Sequence, residues 1–184
     1  MKIGNWKLKI AARKGFSMAE VVISASVLMI MTAGIFLALT GSLNHSMDSR
    51  NHIIASELAQ EGIELVRNVR DNNLASGVDY NTYFSSNLDS CRIDKDYNYT
   101  DSNSISCNNA NDVFQLKYNN NFYEHTDGDG TRFYRKIKIA DYNSGTGKTI
   151  TSVVSWNGSA PDANTTTCNV GNKCVYTEAI LTER

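Results

Sequence analysis

The stretch KGFSMAEVVISASVLMIMTAGIFLALTG, residues 14–41, decides the fold. From Val21 to Met47 there is no Asp, Glu, Lys or Arg. As a helix, residues 21–39 would run about 28 Å, against about 30 Å for the hydrocarbon core of a bilayer. One carboxylate, Glu20, stands at the head of this run. A charge placed there by accident would cost a few kcal/mol in a bilayer, so Glu20 calls for a reason.

The flanks give the segment a direction. Residues 1–15 hold Lys2, Lys7, Lys9, Arg13 and Lys14 and no acid. Positive charge before a span keeps that end in the cytoplasm and sends the C-terminal body outside. An ordinary secretory signal has a shorter apolar core and then a small-x-small cleavage site, for which Ala38 and Thr40 are a weak match. Here the apolar run passes into a helical pattern. Leu39, Leu43, Met47, Ile54, Leu58, Leu65 and Val69 fall at spacings of three, four and seven, the stripe of an amphipathic helix. Glu57, Glu61, Glu64, Arg67, Arg70 and Asp71 occupy the polar face, and Arg70-Asp71-Asn72-Asn73 reads as the helix exit. The expectation is one helix over residues 16–70, with a membrane-spanning half at 21–43 and an apolar stripe on its second half that something must cover.

Charge and cysteine usage narrow the class of the body. Of 18 basic residues, 13 lie beyond residue 15, against all 19 acidic ones, a net of −6. An acidic body is not built to neutralise phosphates, which disfavours nucleic-acid binding as the main role. Cys91, Cys107, Cys168 and Cys174 form no CxxC pair, and no His lies near them at zinc-ligand spacing, so no metal is expected there. An even count in an exported body favours disulfides. Four cysteines allow three connectivities, of which the local one, Cys91–Cys107 with Cys168–Cys174, is the simplest.

The N-terminal residues resemble the type IV pilin and type II secretion pseudopilin superfamily. Its signature is a basic leader ending in Gly, then Phe, three small or apolar residues, Glu, and a long apolar helix. Here Lys14-Gly15 closes the leader and Phe16, Ser17, Met18, Ala19 and Glu20 follow, with SMAEVV where the family commonly has TLIELL. The match covers about the first 70 residues. It implies cleavage between Gly15 and Phe16 by a prepilin peptidase, N-methylation of Phe16, and retention of the membrane helix. It also implies that Glu20 pairs with the positive N-terminus of a neighbouring subunit. Residues 16 and 20 are one helical turn apart and share a face, and a partner amine would remove much of the cost of the carboxylate.

Beyond the helix, residues 71–112 are rich in Asn, Asp, Ser and Tyr, with Leu74, Val78, Phe84, Leu88 and Ile93 as sparse apolar anchors. They read as a long connection pinned by Cys91 and Cys107. The period then changes to two. Residues 113–118, VFQLKY, alternate, and Asn119-Asn120-Asn121 turn into Phe122-Tyr123-Glu124. In RFYRKIKIAD, Phe133, Ile137 and Ile139 share one face and Tyr134, Lys136 and Lys138 the other. Residues 149–156 are β-rich, and Val175, Ala179 and Leu181 alternate again. Short connections favour antiparallel pairing. The expected fold is α+β: a long N-terminal helix, membrane-spanning in its first half, packed on an antiparallel sheet of about four strands in an extracytoplasmic head over residues 71–184.

Several patterns carry no site on this reading. Gly145 to Thr149, GTGKT, lacks the first glycine of a phosphate loop, because Tyr142 stands in its place, and reads as a hairpin turn. Asp127 and Asp129 alone supply too few oxygens for a calcium loop; backbone carbonyls could add some, but the stretch reads first as a plain turn. His45, His52 and His125 are scattered without an activated nucleophile, so no enzyme and no cofactor is expected. Arg132, Lys136 and Lys138 read as a solvated face. Asn98 and Asn157 begin Asn-x-Ser/Thr sequons of the kind such loops produce by chance. The functional expectation is a minor pilin or pseudopilin of a type IV pilus or type II secretion pseudopilus. Its partners would be the prepilin peptidase/methyltransferase and other pilins or pseudopilins, and it would sit in the bacterial inner membrane or in the filament. The alternative is a single-pass, membrane-anchored extracytoplasmic binding module.

Overall fold

The computed structural model describes residues 15–80, 82, 88–94, 105–107, 114–143, 147–162 and 167–182. Leader residues 1–14, Phe84, Asn98 and Gly145 lie outside them. The chain divides into two compact units, Met1–Ser46 and Met47–Arg184, and helix α1 (Met18–Ala75) contributes residues to both.

In the first unit α1 starts where the apolar run starts. The Ser17 carbonyl accepts from the backbone N–H of Glu20 at 3.0 Å and of Val21 at 3.2 Å, which makes Ser17 the N-cap. Ser24, Ser26, Thr32 and Thr40 each return their hydroxyl to a carbonyl one turn earlier, so the polar groups of this stretch are satisfied within the helix. Among the described residues, α1 is one helix long and apolar enough to cross a membrane.

The second unit is α+β. The outer half of α1 lies on a sheet of strands β1 (Leu88–Ile93), β2 (Ile105–Cys107), β3 (Gln115–Asn119), β4 (Phe122–Glu124), β5 (Asp129–Tyr142), β6 (Gly147–Ser155) and β7 (Cys174–Thr182). Every pairing is antiparallel. The long strand β5 is the spine. Along one edge it takes β6, which pairs in turn with β7; along the other it takes β1, with β2 outside it, and β3, with β4 outside it. The alternation expected of β5 is observed: Phe133, Ile137 and Ile139 are buried. Tyr142 opposite Gly147 makes the β5–β6 link a hairpin, with Gly147 and Lys148 already in β6.

Three expectations need correction. The helix does not leave at Arg70-Asp71-Asn72-Asn73; it continues to Ala75. It stops at Gly77, whose φ of 72° is the left-handed C-cap conformation, with Gly77 N–H on the Leu74 carbonyl at 3.1 Å and Val78 N–H on the Asn73 carbonyl at 2.9 Å. Asn73 is buried and reaches the Tyr80 carbonyl, so a residue taken as a helix breaker is used to fasten the turn after it. Secondly, the segment taken as connection contains β1 and β2, so seven strands stand among the described residues where about four were expected. Their alternation is masked by Asp, Ser and Arg on the open face. Thirdly, the covered stripe of α1 is Ala55, Leu58, Ala59, Gly62, Ile63, Val66, Val69 and Asn73. Ile54 and Leu65 flank it and are partly buried. Following the large side chains displaced the expected stripe, because the closest approach is made by the small ones.

The core has two clusters. Ile63, Val66 and Val69 pack with Ile93, Ile137, Ile139, Ile150 and Leu181, while Ala55, Leu58 and Ala59 pack with Leu116, Phe133, Val154 and Trp156. Gly62 lies between them on the helix, and Arg135 between them on the sheet.

Candidate functional site

Gly15 and Phe16 are exposed just before the first turn of α1, and Glu20 sits in that turn. Ser17 and Glu20 are the N-cap and N3 residues, so their spacing is that of a capping box. A carboxylate there also faces the positive end of the helix dipole. This local role was legible in Ser17-x-x-Glu20 and is additional to the intersubunit role that the resemblance implies. From Gly15 to Leu39 every side chain is exposed, with Phe16 at 83% and Leu37 at 72%. Such a surface is long and apolar enough to cross a membrane, and it is compatible with a cover of lipid or of other apolar helices.

The structure bonds Cys91 to Cys107 and Cys168 to Cys174, and among the described residues no cysteine is free. Cys91 and Cys107 are directly opposite in the β1–β2 register, so the bond cross-links a hairpin. Cys168–Cys174 closes a short loop around a 3-10 turn at Val170–Asn172, where the Asn169 side chain caps the Asn172 N–H. Lys173, at the end of that loop, lies 3.8 Å from Asp48 of α1.

The least expected feature is a buried polar cluster where β1 and β3 meet along β5. Arg135 is fully buried. Its Nη2 donates to the Ile93 carbonyl at 3.0 Å and its Nη1 to the Leu58 carbonyl at 3.4 Å, and Nη1 is 3.4 Å from Glu61 Oε1. The Asp94 carboxylate accepts from the His125 backbone N–H at 3.0 Å and lies 2.6 Å from His125 Nδ1. Burial, the largest single influence on Asp94, pushes its pKa up. The His125 hydrogen bonds and charge, with the charge of Arg135, outweigh burial and hold it below the ordinary carboxylate value. His125 Nε2, Arg135 Nε and Ser152 Oγ are buried without hydrogen-bond partners. Period-two patterning had placed Arg135 on the apolar face between Phe133 and Ile137. That position is the signal the sequence offers, and it is a weak one because arginine is seldom buried.

The remaining candidates do not converge. Asp127 and Asp129 flank Gly128, whose φ of 115° and close approach to the Tyr118 carbonyl mark a tight connection between strands. Among the described residues no group of three His, Cys, Asp or Glu is placed to hold a metal ion. Arg132 is exposed, Lys138 lies 3.3 Å from Asp89, and Lys136 lies over the Phe114 ring. Burial lowers the Lys136 pKa, with Asp162 opposing. His52 meets Trp156 edge to face, with ring centroids 5.9 Å apart. A groove of about 700 Å³ runs between Arg67, Arg70, Asp71 and Leu74 of α1 and Ile180, Leu181 and Thr182 at the end of β7.

A long apolar N-terminal helix packed on an antiparallel sheet is a pilin-like architecture. With its two disulfides it is compatible with a pilin-like or membrane-anchored module. No protein-family model, no curated protein and no solved structure matches this chain.

Proposed function

We propose that this chain is a pilin-like structural subunit, a minor pilin or pseudopilin, matured by removal of residues 1–15 and assembled through α1. One observation carries the reading: an apolar helical surface that no described residue covers from Gly15 to Leu39, opened by a single carboxylate in its first turn. A tether needs the apolar surface alone. To a tether the carboxylate is a helix cap that carries an insertion cost, whereas a filament subunit has a further use for it as a counter-charge for a neighbour's N-terminus. On this reading Gly15 and Phe16 form the junction cut by a prepilin peptidase, which also methylates Phe16. The helix rests in the bacterial inner membrane before assembly. The work of the protein is packing and display, with no catalytic step. The disulfide-bearing head suits a minor subunit, decorating the filament and keeping its shape outside the cell.

Mass analysis of the N-terminal peptide, from a host that carries the peptidase, tests the reading. The expected product starts at methylated Phe16 and fractionates with sheared filaments. An intact Met1, a cut after Ala38, or a mature chain found only in membranes would overturn it.

A further inference from the structure

Strand β5 carries two strands end to end along one edge. β3 pairs with residues 129–134 and β1 with residues 137–139. On the opposite edge β6 is continuous over residues 134–142. Among the described residues β1 meets β5 at Leu88–Ile139 and Cys91–Ile137, with a register shift between them, and β2 is bonded to β1 alone. Among the described residues the disulfide-linked β1–β2 hairpin is therefore held to β5 by two register pairs, against three for β3. The hairpin's buried polar fastening is at one end, where Arg135 donates to Ile93 and His125 engages Asp94; at the other end lies the exposed Lys138–Asp89 pair, at 3.3 Å.

We propose that the Asp94–His125 contact is an acid-released latch that keeps the Cys91–Cys107 hairpin seated on β5. The latch joins the end of β1 to the residue after β4, two strands that do not pair with each other. His125 is buried and its Nε2 has no partner, so Nδ1 is the anchored atom of the ring. The charged groups around Asp94 come from each neighbouring element: His125 from the end of β4, Arg135 from β5 and, beyond Arg135, Glu61 from α1. An ionised Asp94 accepts two hydrogen bonds and offsets Arg135. A protonated one loses the charge-assisted part of both bonds and leaves Arg135 buried with Glu61 as its remaining counter-charge.

The direction of the pH effect follows from the depressed pKa. Stabilisation by Asp94 is fully present above the unfolded value, near 3.8, and is lost as pH falls through the lower folded value. Release therefore begins below pH 3.8 and is centred on the β1–β2 hairpin, because both His125 hydrogen bonds to Asp94 hold the end of β1.

Amide hydrogen exchange by NMR on the full chain in detergent micelles, corrected for intrinsic rates, tests the latch between pH 6 and 2.5. Protection at residues 88–93 and 105–107 should fall by about tenfold or more relative to β6 in acid, the scale of one charge-assisted hydrogen bond. In Asp94→Asn that protection should already be low at pH 6 and nearly flat with pH. The wild-type measurement stands alone if the variant misfolds. Parallel behaviour of β1 and β6 across the range, or wild-type protection of β1 in Asp94→Asn, would overturn the proposal.

Discussion

Gly62 of α1 lies so close to Ser152 of β6 that a Cβ on residue 62 would collide with the serine hydroxyl, and would come within 2.9 Å of Ile137 Cδ1 and 3.2 Å of Arg135 Cδ. This is where the helix comes down on the sheet between the two halves of the core. A glycine inside a helix costs about 1 kcal/mol relative to alanine, and here the cost is offset by the close approach.

Gly62→Ala should therefore destabilise the head, the opposite of what helix propensity predicts. The net loss should be about 1–2 kcal/mol from overpacking, and Gly62→Val should lose more. Ser152→Ala alone should be neutral or slightly stabilising, because its hydroxyl is buried without a partner. In the double variant Gly62→Ala, Ser152→Ala part of the loss should return. Denaturant unfolding of the four proteins in one detergent gives the cycle, and additive losses would show that the two residues do not meet as described.

Arg135→Ala should cost about 3–5 kcal/mol, the usual effect of removing one member of a buried charged network. Arg135→Met should cost less, because it fills the gap between the two core clusters without a charge. Arg135→Lys should not restore the wild type, since one ammonium cannot reach both the Ile93 and Leu58 carbonyls in the geometry of a planar fork. Thermal melts would rank the three, and a lysine variant as stable as wild type would contradict the two-carbonyl account.

How much of this was open to a reader of the sequence depended on the kind of interaction. The apolar run, the α+β class and the alternation in β5 and β7 are periodic signals carried by strong side chains, and they were legible. The end of α1 was misplaced because Arg70-Asp71-Asn72-Asn73 looks like an exit. The actual stop, Gly77, is marked by a left-handed φ that composition does not announce. β1 and β2 were missed because a short strand with Asp, Ser and Arg on its open face resembles loop. Its three inward residues, Cys91, Ile93 and Ile105, become recognisable only when β5 lies beside them. The Asp94–His125 contact joins residues 31 apart in sequence, and no local pattern encodes it.

The two disulfides should contribute unequally. In the chain-entropy model, opening the 16-residue separation of Cys91–Cys107 costs about 3 kcal/mol and the 6-residue separation of Cys168–Cys174 about 2 kcal/mol. Replacing both cysteines of the first pair should also loosen the β1–β2 hairpin, whereas replacing the second pair should leave β1 untouched. Unfolding midpoints of the two double-serine variants provide the comparison. A larger loss from the second pair would mean that the loop beside Trp156 contributes more than its closure entropy.

Glu20 has two roles open to it, and two substitutions separate them. As the N3 residue after an N-cap serine it supports the start of α1, a role that Gln fills nearly as well as Glu. As a counter-charge for a neighbour's N-terminus it needs the negative charge itself, which Gln lacks. Leu removes both functions and also lowers the cost of inserting the helix into the bilayer. If capping is the whole role, Glu20→Gln should behave as wild type. For a filament subunit, Glu20→Gln and Glu20→Leu should both yield stable, exported, membrane-resident protein that enters filaments poorly, by about tenfold if the lost pairing is worth about 1.4 kcal/mol per subunit contact. Quantifying the protein in sheared filaments and in membranes, with expression matched across the three chains, reads the difference. Gln entering filaments as well as Glu, with Leu alone excluded, would reduce Glu20 to a helix cap. Equal entry of all three would remove the main physical support for assembly through this carboxylate.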